Sequence, residues 1–357
     1  MITVLVFIVI LALLILVHEL GHFLAAKKSG VYVEEFGIGY PPRLFGKKIG
    51  ETLYSINLLP LGGFVKLFGE ESDAYEKEKA HHRKKRAFVN QKPWRRIAIL
   101  TAGVCGNFLL GWGLISILFT RGVPTPTNQI AVEEVQTNSP AQRAGIRDRD
   151  LITRAQVNSR DYKFQSSDQL IAFAKRFAGQ PVIFQLNRNG KPFVVVVTPR
   201  ASPPPGQGPL GIVISNYLEK KYPWYQAPFY GLLEAYRITK TIIVELVKTV
   251  YLAVTLQKPH VEVAGPIGIA QFTGKAIRYG FNAVLEFVAI LSLNLAVINI
   301  LPFPALDGGR LVFVVYEWVR KKPLNKNVEK YLNLAGFSLL ILLVLIISVH
   351  DVINLIK

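Results

Sequence analysis

The sequence predicts a polytopic α-helical membrane protein of about four spans. A β-hairpin region follows the first span, and one small β-rich domain is inserted between the second and third. Three observations carry this. Four apolar stretches are each long enough to cross a hydrocarbon core of about 30 Å. Half of the 357 residues are hydrophobic and only 18% are charged, against about 25% in soluble domains. The 42 Lys and Arg against 24 Asp and Glu are spread along the chain, but much of this charge borders those stretches, where anionic lipid headgroups are the simplest partner. The net charge of +18 comes with no nucleic-acid-binding motif, so nucleic acid is not expected as a partner.

Residues 1–27 form the first span. Met1 to Val17 is apolar except for Thr3, and no Lys or Arg precedes Lys27. A cleaved signal peptide has the opposite order, with its positive charge in front. Residues 28–96 hold 14 Lys/Arg against 8 Asp/Glu, 15 with Lys27, which places them in the cytoplasm and the N-terminus outside. Alternation in Val31-Tyr32-Val33 and from Glu51 to Ile56, with Pro41-Pro42 between, predicts β-hairpins. Residues 97–120 are a charge-free second span rich in glycine, which permits close helix packing in lipid.

Residues 126–200 form the inserted domain. TNSPAQRAGIRDRDLI is a short helix and turn leading to a strand, and PVIFQLNRNGKPFVVVV is strand–turn–strand around Asn189-Gly190. Residues 201–280 follow as linker and amphipathic helix. ASPPPGQGP, 201–209, is linker-like, and Glu245 and Lys248 interrupt 236–256 at helical spacing, which favours a surface-lying helix over a fifth span. The third span is 281–308, broken late by Pro302 and Pro304, and the fourth is 331–350. The basic loop 320–330 is cytoplasmic by the same rule. Long domains translocate largely regardless of charge, so the inserted domain lies outside.

The chemistry starts at His18-Glu19-Leu20-Gly21-His22. On a helix, positions four apart share a face, so both imidazoles can reach one zinc ion, with Glu19 beside it as a proton carrier. Polar groups this close to lipid are expensive and usually functional. A catalytic zinc needs a third protein ligand. The lone Cys105 rules out a thiolate cluster. His81 and His82 sit in a charged stretch, and His260 and His350 fall on the outer side. Asp307 is the only acidic residue between Phe287 and Tyr316, at the cytoplasmic end of a broken helix, and is the expected third ligand. Asn299, just before the break, could donate a hydrogen bond to the developing oxyanion or orient the substrate backbone. Asn294 suits a packing role.

These motifs resemble the site-2 protease family, and within it the bacterial regulator-of-sigma-E branch of membrane zinc metalloproteases. The HELGH of the first span, the Asn299-x-x-Pro302-x-x-x-x-Asp307-Gly308 motif and an intervening PDZ-like segment carry the likeness over nearly the full chain. The resemblance implies zinc on His18, His22 and Asp307, Glu19 as catalytic base, and Asn299 in substrate binding or transition-state support. It implies an enzyme of the inner membrane, with its active site near the cytoplasmic side. Its substrates would be single-span membrane proteins cut in regulated intramembrane proteolysis, such as anti-sigma factors or signal-peptide remnants. Gly62-Gly63-Phe64-Val65-Lys66 resembles the family's membrane-associated β-loop, thought to hold substrate extended. The PDZ-like domain would offer a groove for an extended peptide. The alternative is a catalytically silent PDZ-containing membrane scaffold, against which the intact HExxH and Asp307 argue.

Overall fold

The computed structural model describes residues 2–70, 81–188, 190–255, 257, 264–322 and 324–356. Asn189 of the expected turn and His260 lie outside the described residues, as do the side chains of His81 and His82. In chain order the chain forms α1 (Ile2–Lys28), β1 (Val33–Ile49), β2 (Thr52–Leu67) and α2 (Pro93–Arg121). Next come β3 (Val123–Val135), β4 (Leu151–Val157), β5 (Arg160–Tyr162), α3 (Ser167–Arg176), β6 (Val182–Arg188), β7 (Lys191–Val197) and β8 (Ile212–Lys220). The chain closes with α4 (Ala227–Val254), α5 (Pro266–Tyr279), α6 (Phe281–Ile300), α7 (Asp307–Arg320) and α8 (Lys326–Ile356). It divides into two compact units, one of Met1–Leu118 with Trp224–Lys357 and one of Phe119–Pro223.

In the first unit, four helices are long and apolar enough to cross a membrane: Ile2–Lys28, Pro93–Arg121, Phe281–Ile300 and Asn327–Ile353. This fits a polytopic membrane protein. A helix suits that solvent because it satisfies its backbone groups internally. Ile10 and Leu14 of α1 pack with Val288, Leu291 and Leu295 of α6 and with Leu110 and Leu114 of α2. Leu339, Leu342, Leu345 and Ile346 of α8 stay more than half exposed, as side chains facing lipid would. The expected surface helix at 236–256 falls on the later part of α4, which ends at Val254 and is not among the four; residue 256 lies outside the described residues. The third span does not continue as helix to residue 308. Its helix stops at Ile300 and a new one starts at Asp307, because Pro302 and Pro304 cannot continue the backbone ladder.

The β-hairpins are one long folded ribbon. Phe36 pairs with both Tyr54 and Val65, so each strand doubles back on its partner. Residues 63–67 pair on one side only among the described residues, which leaves them at a sheet edge. Val31, Val33, Leu67, Phe88, Ile99, Leu100 and Val314 bury together beside Ala26. This cluster seats the ribbon on the end of α1, the start of α2 and the middle of α7.

The second unit is a six-stranded antiparallel sheet in the order β7-β6-β4-β3-β8, with β5 on β4. Its core is aliphatic and aromatic, centred on Ile130, Ile152, Leu170, Phe173, Phe184 and Leu186. Ser139 and Ser166 cap the two helical segments by accepting from Gln142 N and Gln169 N. The sheet runs past the expected 126–200. The segment read as a linker, 201–209, is the loop into β8, which pairs with β3 from Val123 to Val135. The proline-rich composition hid a loop whose ends are bonded, Arg200 N to Pro209 O and Gly211 N to Gly208 O.

Candidate metal centre

His18 and His22 lie one turn apart on the buried face of α1, each 8% exposed. Asp307 opens α7, carried there by the non-helical turn through Pro302 and Pro304. Three atoms converge. His18 Nε2 is 3.0 Å from Asp307 Oδ2, His22 Nε2 is 3.1 Å from the same oxygen, and the two Nε2 atoms are 3.2 Å apart. Ligands at about 2.0–2.1 Å around a tetrahedral ion sit about 3.3–3.4 Å from one another. The triad is therefore within a few tenths of an ångström of a zinc cage, and its two-nitrogen, one-oxygen donor set suits that ion. Among the described residues it is the one such group of His, Cys, Asp or Glu.

Close helix contact makes room for the rings. A Cβ on Gly103 of α2 would lie 2.3 Å from His22 Nε2 and 2.8 Å from His18 Cε1. Only a glycine lets α2 run behind the pair. His22 Nδ1 donates to the carbonyl of Ile99 at 2.8 Å, which leaves Nε2 facing the triad.

A cavity of about 520 Å³ opens beside the triad, lined by Glu19, His22, Asp307, Tyr40 and residues 63–67 among others. Glu19 thus faces the same space as the donor atoms. Gly63 packs tightly there: a Cβ would meet Glu19 Cγ and Gly37 O at 3.2 Å. Phe64, Val65 and Lys66 continue along the wall, and Gly62 sits one residue off it against the Tyr40 ring. Tyr40 stacks on Phe64 at 6.5 Å between centroids. Burial, with Glu19 nearby, pushes the Tyr40 phenol above its ordinary value. Arg310 on α7 donates to Glu70 just past β2, and both line the cavity. Asn299 Nδ2 comes within 3.4 Å of His18 Nε2. Asn294 instead donates to Ile290 O of its own helix.

The residues singled out in the sequence thus meet in one place, Gly62 at its margin. Sequence reasoning passed over Asn107, whose side chain reaches His18 and is fully buried. It is the only Asn in the charge-free run 97–120 and stands four residues after Gly103, which was signal enough. Tyr40 and the Glu70–Arg310 pair carried no such mark, because only the folded ribbon brings them to the site.

The sequence profile of peptidase family M50 matches residues 6–343. A putative zinc metalloprotease of Clostridium perfringens is 34% identical, aligned over 95% of each chain. The zinc metalloprotease RasP of Geobacillus kaustophilus is 30% identical, over 97% of this chain and 96% of its own. The regulator of sigma-W protease RasP of Bacillus subtilis is 28% identical, over 98% of both chains.

Proposed function

The chain belongs to peptidase family M50, the site-2 proteases, and is a zinc-dependent membrane metalloprotease; from that premise we propose that it cuts the transmembrane segments of single-span proteins. The observation that carries this reading is the convergence of three metal-suited atoms at 3.0–3.2 Å beside a cavity walled by a sheet edge. His18, His22 and Asp307 hold the zinc. When bound, zinc polarises the scissile carbonyl and makes water nucleophilic at neutral pH. Glu19 takes the proton from the attacking water and delivers it to the leaving nitrogen. Asn299 donates its amide to the carbonyl oxygen of the scissile peptide.

A helical substrate keeps its peptide bonds engaged with one another and must be opened before attack. Residues 63–67, with Gly62 at their start, offer backbone donors and acceptors to an unwound segment, in the manner of strand addition. The expected substrates are anti-sigma factors or signal-peptide remnants. The regulator of sigma-W protease name borne by the Bacillus relative supports the first class.

The second unit is read as a PDZ-like domain on the outer side of the membrane, with the N-terminus also outside and the active site toward the cytoplasm. A cavity of about 690 Å³ lies between α3 and β8, walled by Leu170, Ile171, Ala174, Ile212 and Ile214. β8 is an edge strand, so an extended peptide could join the sheet there.

The test is zinc analysis with a cleavage assay on a single-span reporter in proteoliposomes. Glu19→Gln should keep zinc and lose cleavage by at least about a hundredfold, the usual scale for a proton carrier. His18→Ala should lose both, and Asp307→Ala should lose cleavage and all but a weak residue of zinc binding. Cleavage undiminished in Glu19→Gln would overturn the mechanism.

A further inference from the structure

The two histidines of the triad both turn their second ring nitrogen toward α2. His22 Nδ1 donates to Ile99 O, and His18 Nδ1 faces the side-chain amide of Asn107 at 3.5 Å. Ile99, Gly103 and Asn107 are spaced by four, the interval that separates His18 from His22. Gly21 sits against Ala102 O and Gly106 against Val17 O, so the two helices run in opposite directions in matched register. One position of α2 gives way to the rings, and the positions one turn before and after it meet the two Nδ1 atoms.

Asn107 is fully buried. Its backbone carbonyl accepts from Ser292 Oγ of α6 at 2.7 Å, which holds it in place. Its Oδ1 has no hydrogen-bond partner among the described residues, an uncommon condition for a buried acceptor. The two ends of an amide are told apart only by the bonds they make. If Nδ2 donates to His18 Nδ1, the imidazole proton is forced onto Nε2, the atom 3.0 Å from Asp307 Oδ2, and that nitrogen can no longer bind a metal. If the amide turns over, Oδ1 accepts from Nδ1–H and His18 Nε2 keeps its lone pair for the triad. The second arrangement gives both the orphaned oxygen and the ligand nitrogen what each lacks. It also matches His22, whose Nδ1–H is held by a carbonyl.

We propose that Asn107 is a positioning residue of the metal centre: its side-chain carbonyl accepts from His18 Nδ1–H and sets which ring nitrogen His18 presents to zinc. This rests on the reading of His18 as a zinc ligand. Partners of this kind typically tune metal affinity by about 10- to 100-fold.

The test is zinc affinity of the purified full-length protein in detergent, by competition with a chelator, for wild type, His18→Ala, Asn107→Leu, Asn107→Asp and Ser292→Ala. His18→Ala should lose the site. Asn107→Leu keeps the approximate volume and removes the acceptor, and should weaken zinc binding about 10- to 100-fold. Asn107→Asp restores an acceptor for the same N–H and should stay within about threefold of wild type, below the range of about 10- to 100-fold expected when the partner is lost. Ser292→Ala, which acts on the backbone of Asn107 alone, should do likewise. Wild-type affinity in Asn107→Leu would overturn the proposal while leaving the ligand reading intact. So would loss of zinc in a folded Asn107→Asp, because a carboxylate with no donor would be an unpaired buried charge. That comparison stands even if the leucine variant does not fold. Unchanged affinity in His18→Ala would remove the ligand reading and this proposal together.

Discussion

Gly103→Ala separates helix stability from metal binding more sharply than any ligand substitution. In a helix interior alanine is favoured over glycine by about 1 kcal/mol, so α2 itself should tolerate the change. The added methyl, however, would lie 2.3 Å from His22 Nε2 and 2.8 Å from His18 Cε1. Ordinary contact starts near 3.5 Å, so the His22 ring must retreat by about an ångström. Metal–ligand distances hold only within about 0.2 Å, and the retreat cannot be shared with Asp307 without opening the triad. Overpacking of this kind costs about 1–3 kcal/mol. Placed entirely on the zinc-bound state, that is about 5- to 150-fold in affinity. The assay is zinc content at buffered free zinc beside thermal unfolding in detergent. Gly113→Ala is the control, since a Cβ there meets nothing within 4 Å. Gly103→Ala should lose zinc and cleavage while the span remains folded, and Gly113→Ala should match wild type. Full zinc occupancy in Gly103→Ala would refute the reasoning, because it would mean that the rings do not lie where the triad requires them.

Three further outcomes follow from the same geometry. Asn299→Ala should retain zinc and lower kcat more than KM, by about 100- to 1,000-fold if its amide meets the developing charge; a change confined to KM would reassign it to substrate binding. Arg86, with Lys27, holds the Glu51 carboxyl down to about 2 from its ordinary 4.5. A depressed carboxylate stabilises the fold above the unfolded value and loses that contribution as pH falls through the folded one. Unfolding midpoints in detergent should therefore fall between about pH 4.5 and 2, and Glu51→Gln should flatten that slope; an equal slope in the variant would exclude the pair as its source. In the second unit, Asp150 is fully buried and pairs with Arg188 at 2.7 Å. Asp150→Ala leaves the guanidinium with only Gly145 O and takes the acceptor from Arg147 N–H, and should destabilise that unit by about 1–3 kcal/mol, read as faster proteolysis within 119–223; unchanged proteolysis would show the pair to be dispensable.

The reach of the sequence differs between the two halves of the site, and the reason is local against non-local order. His18, Glu19 and His22 are legible because one helical turn brings them together, and their expense near lipid marks them. Asp307 is legible by isolation, as the one carboxylate of its stretch beside two prolines. What surrounds them is less so. The folded ribbon reads as simple hairpins because alternation reports a strand and not its partners, and Phe36 has two. Tyr40, Glu70 and Arg310 reach the cavity only through that folding. β8 was lost behind a proline-rich loop for a similar reason: composition describes a segment, while pairing with β3 depends on residues some 80 positions away.

The split of the triad across 285 residues has a physical consequence of its own. α1 supplies two buried imidazoles whose second nitrogens both need acceptors, and an unpaired buried polar group is costly. α2 supplies an acceptor for His22 and an amide beside His18, and it makes space between them, before α7 contributes anything. The histidine pair is therefore a property of the α1–α2 contact, and Asp307 completes a half-site that already exists. This orders the expected losses. Changes on the Ile99, Gly103 and Asn107 face of α2 disturb both imidazoles, whereas Asp307→Ala removes one ligand and leaves the pair in place. Residual weak zinc binding should survive Asp307→Ala and vanish when Gly103→Ala is added to it. Identical zinc loss in the single and double variants would mean that the pair has no standing without the carboxylate.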